Sequence, residues 1–198
     1  MRLVLATTNS GKIDEIKRLY KEFEVVAFTE LLDIGEIVEN GKTFAQNAMI
    51  KANAVYSALE DKRAIVLSDD SGISVDVLDG APGIYSARYA RVGADDQENL
   101  QKLIDELKIA NATSSLAHYT AAISIVSHNC SYTMHGWMHG RVIDEVMGDR
   151  GFGYDPIFIP NGYNKTLGEL DDEVKQSISH RSKALKIAKS VLSTIKNH

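Results

Sequence analysis

AIVLSDDSG, residues 64–72, runs four apolar residues directly into two adjacent carboxylates, Asp69 and Asp70. The spacing predicts a buried strand over 64–67 that ends at the acids, with Ser71 and Gly72 beyond. A strand ending in acids beside a small residue is a common way to hold a metal or a catalytic base at a sheet edge. Consecutive strand residues point to opposite faces, so both acids address one metal only where the strand has ended. The competing reading is a turn decorated by two solvated acids. Downstream, a further acid-bearing run closes in the turn Gly80-Ala81-Pro82-Gly83.

Upstream of this stretch, residues 3–6 (LVLA) read as a second short buried strand, followed by the polar turn Thr7-Thr8-Asn9-Ser10-Gly11-Lys12. Ile13, Ile16, Leu19, Tyr20 and Phe23 then recur at helical spacing, with Asn9 or Ser10 placed to cap. A strand is expected over 25–28, then a loop carrying Glu36 and Glu39. Thr43-x-x-Gln46 has the form of a capping box and opens a helix to about Leu59. Downstream, residues 84–89 suggest a short helix. Another is capped by Asp95 or Asp96, with Leu100, Leu103, Ile104 and Leu107 as its apolar stripe. Residues 116–126 and the run after His128-Asn129 alternate like the strands of a long hairpin. A loop over 148–156 leads to a strand at 157–159. A final loop ends at Ser177-Ile178-Ser179-His180-Arg181, and a closing helix follows. The expected fold is α/β with a mixed sheet in a single domain over 1–198, with two lobes around a cleft.

Composition narrows the function. Hydrophobic residues at 44% and charged residues at 25% are ordinary for a globular chain of 198 residues. Acids outnumber bases 27 to 22, a net charge of −5, which argues against general nucleic-acid binding. A local lysine and arginine cluster can still hold a phosphorylated small molecule. One cysteine, Cys130, permits neither an internal disulfide nor a cysteine-based zinc site, so the expected setting is a reducing cytoplasm. The first residues carry too short an apolar run for a signal peptide, and no later segment approaches a membrane span.

Four places carry candidate chemistry. Thr7 to Lys12 joins a strand to a helix start, where free N–H groups and the helix dipole suit phosphate. It lacks the spacing of a Walker A loop, since Ala6 and Ile13 stand where that loop needs Gly and Ser or Thr. The alternative is an ordinary capped helix start. Asp69 and Asp70, with Glu39, are candidate ligands for Mg²⁺, a hard cation that takes oxygen donors. Gly151-Phe152-Gly153-Tyr154-Asp155 offers an aromatic ring that can stack on a base, or equally a turn that packs Phe152 into the core. Ser179-His180-Arg181 reads by itself as a helix cap. His135 and His139 share a strand face but lie too far apart for an easy common metal.

TTNSGK, TFAQNAMIKA, SDDSG, GAPGIYSARYA, GFGYDPIF and SISHRSKAL occur in this order and spacing in one family. The chain strongly resembles the inosine triphosphate pyrophosphatases, house-cleaning hydrolases of non-standard purine nucleotides, essentially from end to end. The resemblance implies an elongated mixed sheet with flanking helices around a central nucleotide-binding cleft, Mg²⁺ as cofactor, and a homodimer. It implies that Thr7, Thr8, Asn9, Ser10, Gly11 and Lys12 cradle the triphosphate. Asp70 would be the proton acceptor and a metal ligand, with Asp69 and Glu39 supporting the metal. Ser71 would touch substrate, and Lys51 and Arg88 would add positive charge near the phosphates or in an adjoining network. Phe152, Gly153, Tyr154, Asp155, Lys175, His180 and Arg181 would form the purine pocket.

Two positions depart from the family pattern: Gln46 stands for Glu, and Ser68 for the frequent Ala. Gln still completes a capping box, whereas metal affinity would fall if that carboxylate serves the metal network. The implied reaction is hydrolysis of ITP, dITP and XTP to the monophosphate and pyrophosphate. A Maf-like pyrophosphatase of modified pyrimidine nucleotides is the second reading, weakened by the missing Ser-x-Arg-Arg loop. A non-catalytic nucleotide-binding module is the third.

Overall fold

The computed structural model describes residues 1–196. Six strands form one mixed sheet in the order β2-β1-β3-β4-β5-β6. β1 (Arg2–Leu5) pairs in parallel with β2 (Glu24–Ala27) and with β3 (Ile65–Val75), setting Leu3 beside Val25 and Ile65. Parallel neighbours need crossovers. α1 (Ser10–Leu19) supplies the first, and the crossover from β2 to β3 contains α2 (Phe44–Ala58). β4 (Ser114–Val126) and β5 (Ser131–Ile143) form the long hairpin, closed where Ser127 N–H donates to the Cys130 carbonyl at 2.9 Å. β6 (Phe158–Pro160) pairs antiparallel with β5.

β3 does not end at the acids. It continues through Asp69 and Asp70 to Val75, and the expected strand end at this point is corrected. The charges are tolerated because each acid meets a lysine, Asp69 with Lys12 and Asp70 with Lys51. Ile73 and Val75 then restore the apolar alternation.

Local signals at helix starts hold closely. Asn9 caps α1, its side-chain oxygen accepting from Lys12 N–H at 3.0 Å. Thr43 caps α2, accepting from Gln46 N–H. The return half of that box is shifted: Gln46 Oε1 accepts from Lys42 N–H at 2.6 Å instead of from the cap residue. Asp95 and Glu98 form a full box at α3 (Asp96–Ile109). Phe23, expected on α1, lies beyond it. The helix stops at Tyr20, whose hydroxyl donates to the Leu185 carbonyl at 2.7 Å, and Phe23 packs edge-on to that ring. Residues 172–178, expected as loop, form the short helix α4 (Asp172–Ile178) before α5 (His180–Lys196). Its Ile178 packs on an apolar cluster, a tertiary contact that local periodicity does not reveal.

The chain divides into two compact units, with a boundary inside β3 after Asp70. The first contains Met1–Asp70, Ala122–His135 and the chain from Ala184 onward, and its core includes Val4, Ala52, Val55, Val66 and Val126. The second contains Ser71–Ala121 and Gly136–Lys183, around Ile73, Leu103, Leu107, Tyr119 and Phe158. No helix among the described residues is long and apolar enough to cross a membrane.

Candidate active site

Acids and lysines concentrate in the first unit. Lys51, on α2, donates to Glu39 Oε2 and to Asp70 Oδ1, each at 3.0 Å. All three side chains are largely shielded, with exposures of 13% for Lys51, 15% for Asp70 and 29% for Glu39. Two carboxylates against one ammonium leave this group one negative charge in excess. Burial pushes the Asp70 carboxyl above its usual range, and the neighbouring Glu39 and Asp69 charges add to this, while Lys51 opposes it. Burial by itself would lower the Lys51 ammonium, but Asp70 and Glu39 outweigh it and hold its proton more tightly.

Asp69 faces the other way. Its carboxylate is 1% exposed and meets Lys12 Nζ at 2.6 Å, beside the start of α1. Thr7 Oγ1 accepts from Asn9 N–H at 3.2 Å and shapes the turn, while Thr8 and Gly11 are exposed and Ser10 opens the helix. The strand alternation therefore separates the adjacent acids: Asp70 joins Glu39 through Lys51, and Asp69 joins Lys12. Among the described residues, no group of three or more His, Cys, Asp or Glu side chains is placed to hold a metal. The donor set around Asp70 nonetheless fits a hard divalent cation. Asp70 Oδ2 is buried with no hydrogen-bond partner, and such an oxygen costs about 1–3 kcal/mol unless something binds it. Ser68, behind the acids, donates to the Ala48 carbonyl at 2.5 Å, so its hydroxyl ties β3 to α2.

The second unit gathers the aromatic and cationic candidates. Phe152 is 59% exposed, which excludes the reading that packs it into the core. Lys175, on α4, sets its ammonium 4.6 Å from the Phe152 ring centre and pairs with Asp155. Asp155 is buried, and its Oδ2 also accepts from Phe152 N–H at 2.9 Å. Burial raises its carboxyl pKa against the pull of Lys175. Gly151 adopts φ +82°, and a Cβ there would lie 2.2 Å from Asp155 Oδ2, so only glycine fits this loop. Asp96 accepts from Gly153 N–H at 2.9 Å, and Tyr154 donates to the Ser86 carbonyl at 2.7 Å. Ser86 also donates to the Gly83 carbonyl and accepts from Ile73 N–H, so GAPGIYSARYA braces both β3 and the aromatic loop.

At the start of α5, Ser179 Oγ accepts from Ser182 N–H at 3.0 Å, as a cap should. His180 is buried beside it, and Arg181 donates to Ser71 Oγ at 3.2 Å. Arg88 holds its guanidinium 5.3 Å from the Tyr85 ring centre. Tyr119 is the residue that sequence reasoning missed. Its ring stacks on His180 at 4.9 Å and 9°, and its hydroxyl donates to Asp155 Oδ1 at 3.4 Å. In the sequence it is simply one apolar residue of an alternating strand. Only a contact 61 residues away along the chain marks it as the link between His180 and Asp155.

This arrangement, with acids and lysines in one unit and an aromatic-cationic cluster in the other, sits on a sheet shared with known proteins. Residues 3–191 match the Ham1 family, and the chain belongs to that family. It is 61% identical to the dITP/XTP pyrophosphatase of Sulfurimonas denitrificans, over 98% of this chain and 100% of that protein. Identity to the dITP/XTP pyrophosphatase of Campylobacter jejuni subsp. jejuni is 52%, with 97% of each chain covered. Among solved structures, the Staphylococcus aureus Ham1 protein superposes with a TM-score of 0.89 at 35% identity, covering 98% of this chain and 99% of that one.

Proposed function

We propose that this chain hydrolyses the purine nucleoside triphosphates ITP, dITP and XTP to the monophosphate and pyrophosphate. The observation that carries the reading is Asp70: a largely shielded carboxylate of raised pKa, with one buried oxygen unpartnered, in a chain closely similar to dITP/XTP pyrophosphatases. A base poised above the ordinary carboxylate range takes a proton from water more readily than a solvated aspartate does.

In the proposed reaction Asp70 accepts a proton as the water oxygen bonds to the α-phosphorus. The bond from that phosphorus to the bridging oxygen breaks, and pyrophosphate leaves with the electron pair. Glu39 and the free Asp70 oxygen are the residues that would hold Mg²⁺. When bound, the ion offsets phosphate charge and polarises the phosphoryl oxygens. Thr7, Thr8, Asn9, Ser10 and Gly11 present the α1 start to the phosphates, with Lys12 held in place by Asp69 and Lys51 balancing the acids. Phe152, Gly153, Tyr154, Asp155 and Lys175 take the base, and Ser71 and Arg88 support the ends of this set. His180 and Arg181 offer donors to the 6-oxo group. An adenine amino group would leave such donors unpaired, a penalty that supports discrimination on the order of 10⁴. The homodimer rests on the family resemblance, and the cytoplasmic setting on the single cysteine, Cys130.

Incubating the protein with ITP, or with dTTP, in the presence of Mg²⁺ and identifying the phosphorus products by NMR tests the reading. Pyrophosphate from ITP, little turnover of dTTP, and a loss of about 10²–10⁴-fold in Asp70→Asn are expected. Orthophosphate as the first product, or an active Asp70→Asn, overturns the mechanism. Binding of ITP without turnover would make this a non-catalytic module.

A further inference from the structure

His118 on β4 and His139 on β5 face each other across the hairpin, with ring centroids 5.5 Å apart and planes tilted by 35°. Neither ring has a hydrogen bond or ion pair among the described residues. His139 is exposed and His118 half-buried, on a face that also exposes Leu116 and Trp137. Strand alternation turns His118 away from its neighbour Tyr119, so the pair lies on the opposite face of β4 from the His180 stack.

We infer that His118 and His139 form a two-imidazole site for a borderline transition-metal ion such as Cu²⁺, Ni²⁺ or Zn²⁺. The spacing carries the argument. A metal–nitrogen distance of about 2.0–2.1 Å, with each ring centre roughly 1.2 Å behind its nitrogen, puts the centroids about 5.3 Å apart at a tetrahedral angle. The observed centroid separation of 5.5 Å matches that spacing. Both ligands stand on neighbouring, hydrogen-bonded strands, so little backbone freedom is lost on binding. The open side leaves the remaining coordination positions to water, consistent with no third His, Cys, Asp or Glu joining the group among the described residues. Neutral imidazole selects these ions over Mg²⁺, so the site is chemically separate from the one at Asp70.

Calorimetric titration of tag-free protein with NiCl2 and CuCl2 at pH 7.5 tests the site in wild type, His118→Gln, His139→Gln and the control His128→Gln. One equivalent is expected to weaken at least tenfold in each of the first two variants and to remain in the control. Cu²⁺ should bind more tightly than Ni²⁺. A metal-dependent rise in thermal midpoint in wild type, absent from both variants, gives a second readout that also checks folding. ITP hydrolysis should be unchanged in both variants, which separates this inference from the proposed activity. Equal binding in all four proteins, loss in only one of the two variants, or no binding by wild type overturns it.

Discussion

Asp70 combines burial, a shared lysine and a nearby second acid, and those conditions set both its chemistry and its effect on stability. Its folded pKa lies above the unfolded value of 3.8, so its protonated form is the one that folding favours. That contribution is complete below the unfolded pKa and is lost as pH rises through the folded pKa. Asparagine mimics the protonated acid and escapes the loss. Asp70→Asn is therefore expected to melt above wild type at pH 8, with the difference shrinking toward pH 4, while activity is lost. Each tenfold change in proton affinity corresponds to about 1.4 kcal/mol. Calorimetric scans across this range decide it, and a variant that melts below wild type at pH 8 would refute the burial argument. The sequence identifies Asp69 and Asp70 as chemically unusual, yet it cannot assign their partners. Lys12 and Lys51 reach them from 57 and 19 residues away, on opposite faces of β3.

β3 shows how elements depart from local reading. Apolar periodicity predicts a strand over 64–67, and the ladder continues to Val75 because lysines from other elements neutralise the acids. Gly72 belongs to that continuation. A Cβ there would lie 2.3 Å from Ser86 Oγ and 2.7 Å from the Gly83 carbonyl, the bonded pair that braces the 83–88 turn. Gly72→Ala should lower stability by about 1–3 kcal/mol through overpacking. Urea titration should show a lower midpoint with unchanged slope. An unchanged midpoint would mean that the turn moves freely. Helix starts were far more legible, because a cap is an interaction over three residues. Asn9, Thr43 and Asp95 all serve as expected. Gln46 shows the limit of that legibility, since its side chain selects Lys42 N–H over the cap residue. α4 was hidden for the opposite reason: seven residues carry too little periodicity, and its tertiary contact through Ile178 is not local.

At the scale of the molecule, one six-stranded sheet is formed among the described residues, and each of the two units has an apolar core of its own. The net charge of −5 disfavours a polyanionic partner, so fluorescence anisotropy should find no salt-dependent binding to duplex DNA at micromolar protein. Tight binding that weakens steeply with salt would contradict this. The sequence by itself determined the α/β class, the helix caps, the long hairpin and the ordered motifs that mark the family. These rest on short-range periodicity, capping chemistry and residue identity, all of which a linear chain displays. Tertiary structure alone decided which lysine serves which acid, that Phe152 is exposed, and that Tyr119 links His180 to Asp155. Those are contacts between elements distant in the chain, created by strand alternation and helix placement. AIVLSDDSG announces the acids, but the direction each carboxylate faces exists only once β3 has paired and α1 and α2 have packed beside it.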